Sequence, residues 1–178
     1  MIVESWPWKN ELLETAERLK LMKTLSEPSE EQLVQLEKDI FIGFYIVRKL
    51  FETITKVTDS TKALKLDLFW YPNRKPVTWR NNHKLDELYD FAASQAETRD
   101  ALYVCNQLIH SFIFSPLFDE DEKLHAILFT SDKRKDELLY FLEIDRVIEL
   151  FLKVGNDDPI KLIWKKDPVT GEEETIVE

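Results

Sequence analysis

The sequence predicts an α+β protein, in which an N-terminal helical layer packs on a C-terminal, mostly antiparallel sheet that carries one inserted helix. Apolar residues recur every three or four positions through most of residues 8–54, which is helical periodicity. Strand-like stretches separated by charged turns dominate after residue 111. Helices followed by strands are the order typical of α+β proteins.

We expect residues 1–178 to form one compact unit, because this length suffices for one domain with a core and is short for two. Residues 1–111 are expected to be mainly helical with a small hairpin, and residues 112–178 mainly β.

Three long helices are predicted in the first part. One begins near Ser5, a potential N-cap, and a second spans residues 29–56 behind the capping box that Ser29 opens. The second helix is apolar on nearly every side between residues 40 and 47, so it is expected to be central. Gly43 costs such a helix about 1 kcal/mol relative to alanine, and a close approach of another helix would explain it. A second capping box at residues 94–97 predicts a third helix that reaches residue 111.

Alternation over residues 64–71 predicts a strand, with residues 77–79 as a short partner strand across a turn. A brief helix is expected at residues 85–92. Further strands are predicted at residues 112–118, 124–130 and 137–142, followed by a helix over residues 145–154 that ends at Gly155. Residues 160–164 and 174–177 predict a hairpin.

Composition excludes several classes of function. The formal charge of −10 argues against a general nucleic-acid coat and against an anionic membrane surface as the main partner. The 3 glycines leave no P-loop or dinucleotide-binding fingerprint, and no other cofactor is indicated. His83, His110 and His125 do not pair at helical spacing, so no metal site is predicted.

Cys105 is the only cysteine, which excludes an internal disulfide and favours a reducing compartment. The residues after Met1 do not resemble a signal peptide, and the longest apolar stretch is far shorter than a membrane span. A cytoplasmic location, with no membrane partner, is expected.

The sharpest local pattern is the run from Cys105 to His110 in the third predicted helix. Asn106 and His110 are four residues apart and share a helix face, which Tyr103 and Arg99 continue toward the N-terminus. In the purely structural interpretation, Asn106 and His110 are a hydrogen-bonded polar pair that fixes the helix against the sheet. The alternative is a functional pair, with His110, Asn106 and Arg99 as candidate catalytic residues.

This run resembles the motif of the HEPN superfamily, a helical-bundle group that includes many ribonucleases of toxin and abortive-infection systems. Asn106 and His110 match the polar and histidine positions of that motif, whereas Cys105 stands where the family has a catalytic arginine. A thiol lacks the fixed charge and the donors of a guanidinium. The resemblance implies a degenerate binding relative, or a ribonuclease whose arginine comes from Arg48, Arg80 or Arg99.

The stretch from Leu68 to Leu85 contains no acidic residue. Basic groups that alternate with aromatic rings can hold phosphates and stack bases, or can hold an acidic protein surface. In the purely structural interpretation, the stretch is a hairpin whose tryptophans pack inward and whose charged side chains are solvated. The candidate binding residues are Arg74, Lys75, Trp79, Arg80, His83 and Lys84.

We therefore expect a non-enzymatic binding or regulatory module, with a protein partner or self-association through the helical layer. The alternative is a HEPN-like ribonuclease or toxin-system component that acts on RNA, which is the less favoured partner.

Overall fold

The computed structural model describes residues 2–166 and 170–178. Along the chain the elements are α1 (Trp6–Met22), α2 (Glu30–Glu52), α3 (Asp59–Lys62), β1 (Lys65–Pro72), α4 (Leu85–Leu88), β2 (Gln95–Asp100), α5 (Ala101–Ile109), β3 (Ser111–Phe118), β4 (Leu124–Ser131), β5 (Leu138–Glu143), α6 (Ile144–Gly155), β6 (Leu162–Lys166) and β7 (Glu173–Val177). The α+β class is confirmed.

Five strands form one sheet in the order β2-β1-β5-β4-β3, and each neighbouring pair is antiparallel. Successive side chains of a strand face opposite sides of the sheet. On β4, Ile127 and Phe129 join the main core with helices α1, α2, α5 and α6. Leu128, between them, joins a smaller cluster with Val77, Leu88 and Tyr89. Helices therefore cover one face, and the segment between β1 and β2 covers part of the other.

Helix α2 is central, as predicted. The Ser29 capping box is present, with Ser29 Oγ accepting from Gln32 N at 3.3 Å and Gln32 Oε1 accepting from Ser29 N at 2.8 Å. Phe44 and Phe51 are buried, whereas Phe41 is only half-buried. A Cβ on Gly43 would lie 2.3 Å from Phe151 Cζ of α6, so the predicted close approach of another helix is confirmed.

An ion pair between the half-buried Arg18 and the buried Asp39 joins α1 to α2. Arg18 Nε donates to both carboxylate oxygens of Asp39 at 3.1 Å, and Arg18 Nη2 donates to Oδ1 at 2.8 Å. Gln35 also donates to Asp39 Oδ1 at 2.9 Å. The Asp39 carboxylate is thus removed from water with its hydrogen-bonding capacity largely used.

Two predicted elements are wrong. Residues 95–100 are strand β2 and not the start of a helix, because they pair along β1 from Gln95 to Asp100. Helix α5 begins only at Ala101. Residues 77–79 form no strand, since the Val77 amide donates to Asp136 Oδ1 at 2.6 Å and β1 is already paired with β2 and β5.

The predicted C-terminal strands, the helix that ends at Gly155 and the final hairpin are confirmed. Residues 167–169 of the hairpin turn lie outside the described residues. Among the described residues, no helix has the length and apolar character needed to cross a membrane.

Candidate functional site

Helix α5 places its two motif residues beside the connection between β4 and β5. Its buried face, which includes Val104, Cys105 and Leu108, packs into the main core. The opposite face carries Asn106, and His110 is the C-cap. The chain continues directly into β3, so the helix end and the sheet are held together.

The β4–β5 connection is tied to this helix end by the backbone. The Asp132 amide donates to His110 O at 3.1 Å, and Arg134 N donates to Ser131 O at 3.0 Å. Between helix and connection lies an open cleft of about 530 Å³, which we call the α5–β4 cleft. Its lining residues are Tyr103, Asn106, Gln107, His110, Ser131, Asp132, Lys133 and Arg134.

A chain of hydrogen bonds runs from this cleft into the core. Arg134 Nη1 donates to Tyr103 Oη at 3.4 Å, the Oη atoms of Tyr103 and Tyr140 are 2.9 Å apart, and Tyr140 donates to Glu97 Oε2 at 3.3 Å. A phenol has one proton, so Tyr140 can donate only to Glu97 and Tyr103 must donate to Tyr140. Burial, reinforced by the bond with Tyr103, raises the pKa of Tyr140, so this proton stays in place.

Arg99 belongs to the far end of this chain. It forms an ion pair with Glu97, and its guanidinium lies 4.8 Å from the centre of the Tyr103 ring. The hydrogen bond with Glu97, its largest cause, raises the pKa of Arg99. Arg99 therefore stacks behind the cleft wall, on β2, and does not line the cleft.

Several buried polar atoms of the cleft lack a hydrogen-bond partner. Among the described residues, five buried side-chain atoms form no hydrogen bond, and three of them, Gln107 Oε1, Ser131 Oγ and Arg134 Nε, belong to residues of the cleft lining. Arg134 Nε has an ion-pair partner, because Glu137 Oε2 lies 2.9 Å from it, which leaves Gln107 Oε1 and Ser131 Oγ without any partner. An unpaired buried polar atom costs about 1–3 kcal/mol, so two in the lining of one open cavity need an explanation.

The two motif side chains are available in this cleft. Asn106 is half-buried and His110 is exposed, and neither side chain forms a hydrogen bond or ion pair with the described residues. Cys105 points into the core, where burial raises the pKa of its thiol and keeps it protonated. The cationic groups that line the cleft with Asn106 and His110 are Lys133 and Arg134.

Arg134 was not singled out from the sequence. It stands in the charged run between two strands, and such a run predicts only a turn. Its distance along the chain from His110 gives no local spacing to recognise, and only the pairing of β3 with β4 brings the two together.

The acid-free stretch is folded against acidic residues that follow it in the chain. Arg74 Nη2 lies 2.6 Å from Asp90 Oδ1, while Lys75 and Lys84 lie 3.7 Å and 3.4 Å from the carboxylate of Glu87. Arg80 lies over the ring of Trp79, which is 73% exposed, at 5.0 Å. His83 lines a separate cavity of about 270 Å³ beside β3. The exposed tip of the segment is thus Trp79 and Arg80, and its binding role stays a prediction.

Within residues 2–166 and 170–178, no group of three or more His, Cys, Asp or Glu side chains could hold a metal ion. No family model, curated protein or solved structure matches the chain.

Proposed function

We propose that the protein is a non-enzymatic binding or regulatory module whose ligand occupies the α5–β4 cleft. The observation that carries this proposal is a pair of buried atoms without a partner, Gln107 Oε1 and Ser131 Oγ, in residues that line one open cavity. Each carries a desolvation cost of about 1–3 kcal/mol. A ligand that supplies their partners would recover part of that cost on binding. The cytoplasmic location expected from the lone Cys105 belongs to the same proposal.

Binding is favoured over catalysis by the surroundings of His110. A general base is usually oriented by a second group, and a nucleophile needs a base within hydrogen-bond reach. No described side chain bonds the His110 ring, and the Cys105 thiol is buried and protonated. The cleft offers polar contacts without an assembled catalytic arrangement.

The proposal is tested by screening a library of polar small molecules against the ¹⁵N-labelled full chain by NMR. We expect ligands that shift the amide signals of residues 103–110 and 131–134 in a saturable way. The matched variants are Asn106→Ala, which removes a cleft amide, and Asn10→Ala, which removes an amide that donates to Glu14 in an exposed hydrogen bond on α1. Only the first should weaken binding. Saturable binding that maps elsewhere, or none at all, contradicts the proposal.

A second candidate function is a HEPN-like ribonuclease or toxin-system component that acts on RNA. One observation favours it: the exposed His110 imidazole shares its open cleft with the guanidinium of Arg134, in place of the arginine missing at Cys105. Cleavage of labelled RNA that is lost in His110→Ala and kept in His125→Ala would support an enzyme. His125 is an exposed histidine on β4 that does not line the cleft. RNA left intact by the wild type contradicts this candidate.

We further propose that two copies associate through α2. Its outer side exposes Val34, Ile42 and Tyr45, which are 45%, 50% and 45% accessible. At 100° per residue they fall within an arc of about 80°, so they form one apolar strip. Symmetric pairing of this strip would bury it in both copies.

A further inference from the structure

We propose that the ligand of the α5–β4 cleft is a small molecule with an oxyanion group, held by Lys133, Arg134 and Asn106, and with an O–H or N–H donor for Gln107. This inference rests on the proposed function. The volume of about 530 Å³ is that of a small-molecule pocket.

The charges around the cleft favour an anion. Asp132 is the one carboxylate among its lining residues, and Lys135 Nζ holds it at 2.5 Å. Arg134 faces Glu137 on one side. Lys133 is exposed and has no carboxylate within 4.0 Å among the described residues. The charge left without a partner in the cleft is therefore positive.

The unpaired hydrogen-bonding groups are mainly donors. The Lys133 ammonium, the Asn106 amide, the Arg134 Nη2 group and the Ser131 hydroxyl can all donate, and an oxyanion can accept from several of them at once. Gln107 Oε1 is the exception, since it accepts. Ser131 Oγ and Gln107 Oε1 are both shielded in the free protein, so these two side chains must rotate to meet the ligand.

The helix dipole sets the orientation of this ligand. The C-terminus of α5 carries a partial negative charge, which opposes an adjacent anion and favours a donor. The oxyanion therefore lies on the β4–β5 side, at Lys133 and Arg134, and the donor group lies beside the helix end and Gln107.

The test is a ¹⁵N NMR titration of the full chain with inorganic phosphate, acetate, methyl phosphate and glycerol 3-phosphate, at constant ionic strength and pH. We expect saturable shifts in residues 103–110 and 131–134. Lys133→Gln should weaken phosphate binding by about tenfold or more, as the loss of a charged hydrogen bond implies. Lys153→Gln, which removes an exposed lysine of α6 outside the cleft, should leave the Kd unchanged.

The remaining probes distinguish a phosphate from a carboxylate ligand, and test the oxyanion and the donor group for Gln107 separately. Binding of phosphate without acetate assigns a phosphate ligand, and the reverse assigns a carboxylate. Glycerol 3-phosphate should bind more tightly than methyl phosphate, and Gln107→Met should remove that advantage. Equal affinities for glycerol 3-phosphate and methyl phosphate would contradict the proposed donor contact with Gln107. If no anion gives saturable shifts while neutral polar compounds still bind in the cleft, the oxyanion is wrong and the proposed function stands. If nothing binds there, both fail.

Discussion

Single side chains decide which ligand the α5–β4 cleft can bind, and the side chain of Tyr103 is held in place on several sides. Its hydroxyl is fixed between Arg134 at 3.4 Å and Tyr140 at 2.9 Å, and its ring is covered by Arg99. Because Tyr140 donates its one proton to Glu97, Tyr103 must donate to Tyr140 and accept from Arg134. Arg134 is therefore positioned before any ligand arrives, which lowers the entropy cost of binding.

At the scale of single residues, the hydrogen bond between Arg74 and Asp90 makes the stability of the fold depend on pH. The hydrogen bond from Arg74 is the largest cause that lowers the pKa of Asp90. A carboxyl whose folded pKa lies below its unfolded value stabilises the fold above the unfolded value, about 3.9, and that contribution is lost as pH falls through the folded pKa. Arg74→Gln should raise the Asp90 pKa, as measured by ¹³C NMR titration of its carboxyl, while Lys75→Gln leaves it unchanged. An unchanged midpoint in Arg74→Gln contradicts the account.

At the scale of elements, the contact between α1 and α2 depends on a buried charge. Replacing Arg18 by methionine leaves Asp39, which is 5% exposed, without its cation. We expect a loss of unfolding free energy on the order of 3 kcal/mol in urea denaturation. The double variant Arg18→Met with Asp39→Leu should recover part of it. Lys20→Met, at an exposed pair with Glu17, should cost less than about 1 kcal/mol. A double variant less stable than the single one contradicts this role.

The packing of α2 against α6 gives a second prediction at this scale. Phe44 is fully buried and meets the Phe151 ring edge-on, with centroids 5.3 Å apart. Phe44→Ala should lower the free energy of unfolding by about 3–5 kcal/mol, as for large core aromatics. Glu37→Ala, at an exposed position of the same helix outside the apolar strip, is the control and should cost far less. A Phe44→Ala variant that melts like the wild type would contradict the central place of α2.

Local sequence patterns correctly predicted the elements whose residues suit only one type of secondary structure. The Ser29 capping box and the alternation in residues 64–71 both lead to the structure observed. The capping box at Ser94 failed because residues 95–100 also suit an edge strand, and pairing with β1 decided between the two. Asn106 and His110 were found through their helical spacing. Arg134 and Ser131 could not be found, since their approach to His110 depends on tertiary structure.

At the scale of the whole molecule, the exposed strip on α2 predicts a dimer. Light scattering should give about twice the 21.2 kDa of one chain at high concentration. Ile42→Glu, in the middle of the strip, should yield monomers because it would bury a charge in both copies. Leu21→Glu, at an exposed leucine of α1, is the matched control and should leave the dimer intact. A wild-type monomer at high concentration contradicts self-association.

The central claim is that the cleft keeps polar atoms unpaired for a ligand, and the unfolding free energy of Ser131→Ala tests it most directly. Ser131 is 4% exposed and its hydroxyl has no partner among the described residues. Removing that hydroxyl should raise the unfolding free energy of the free protein by about 1 kcal/mol and weaken ligand binding. Thr61→Val removes an equally unpaired hydroxyl outside the cleft, and should stabilise without affecting binding. A Ser131→Ala variant that is less stable than the wild type would show that the hydroxyl is already satisfied, which contradicts the account.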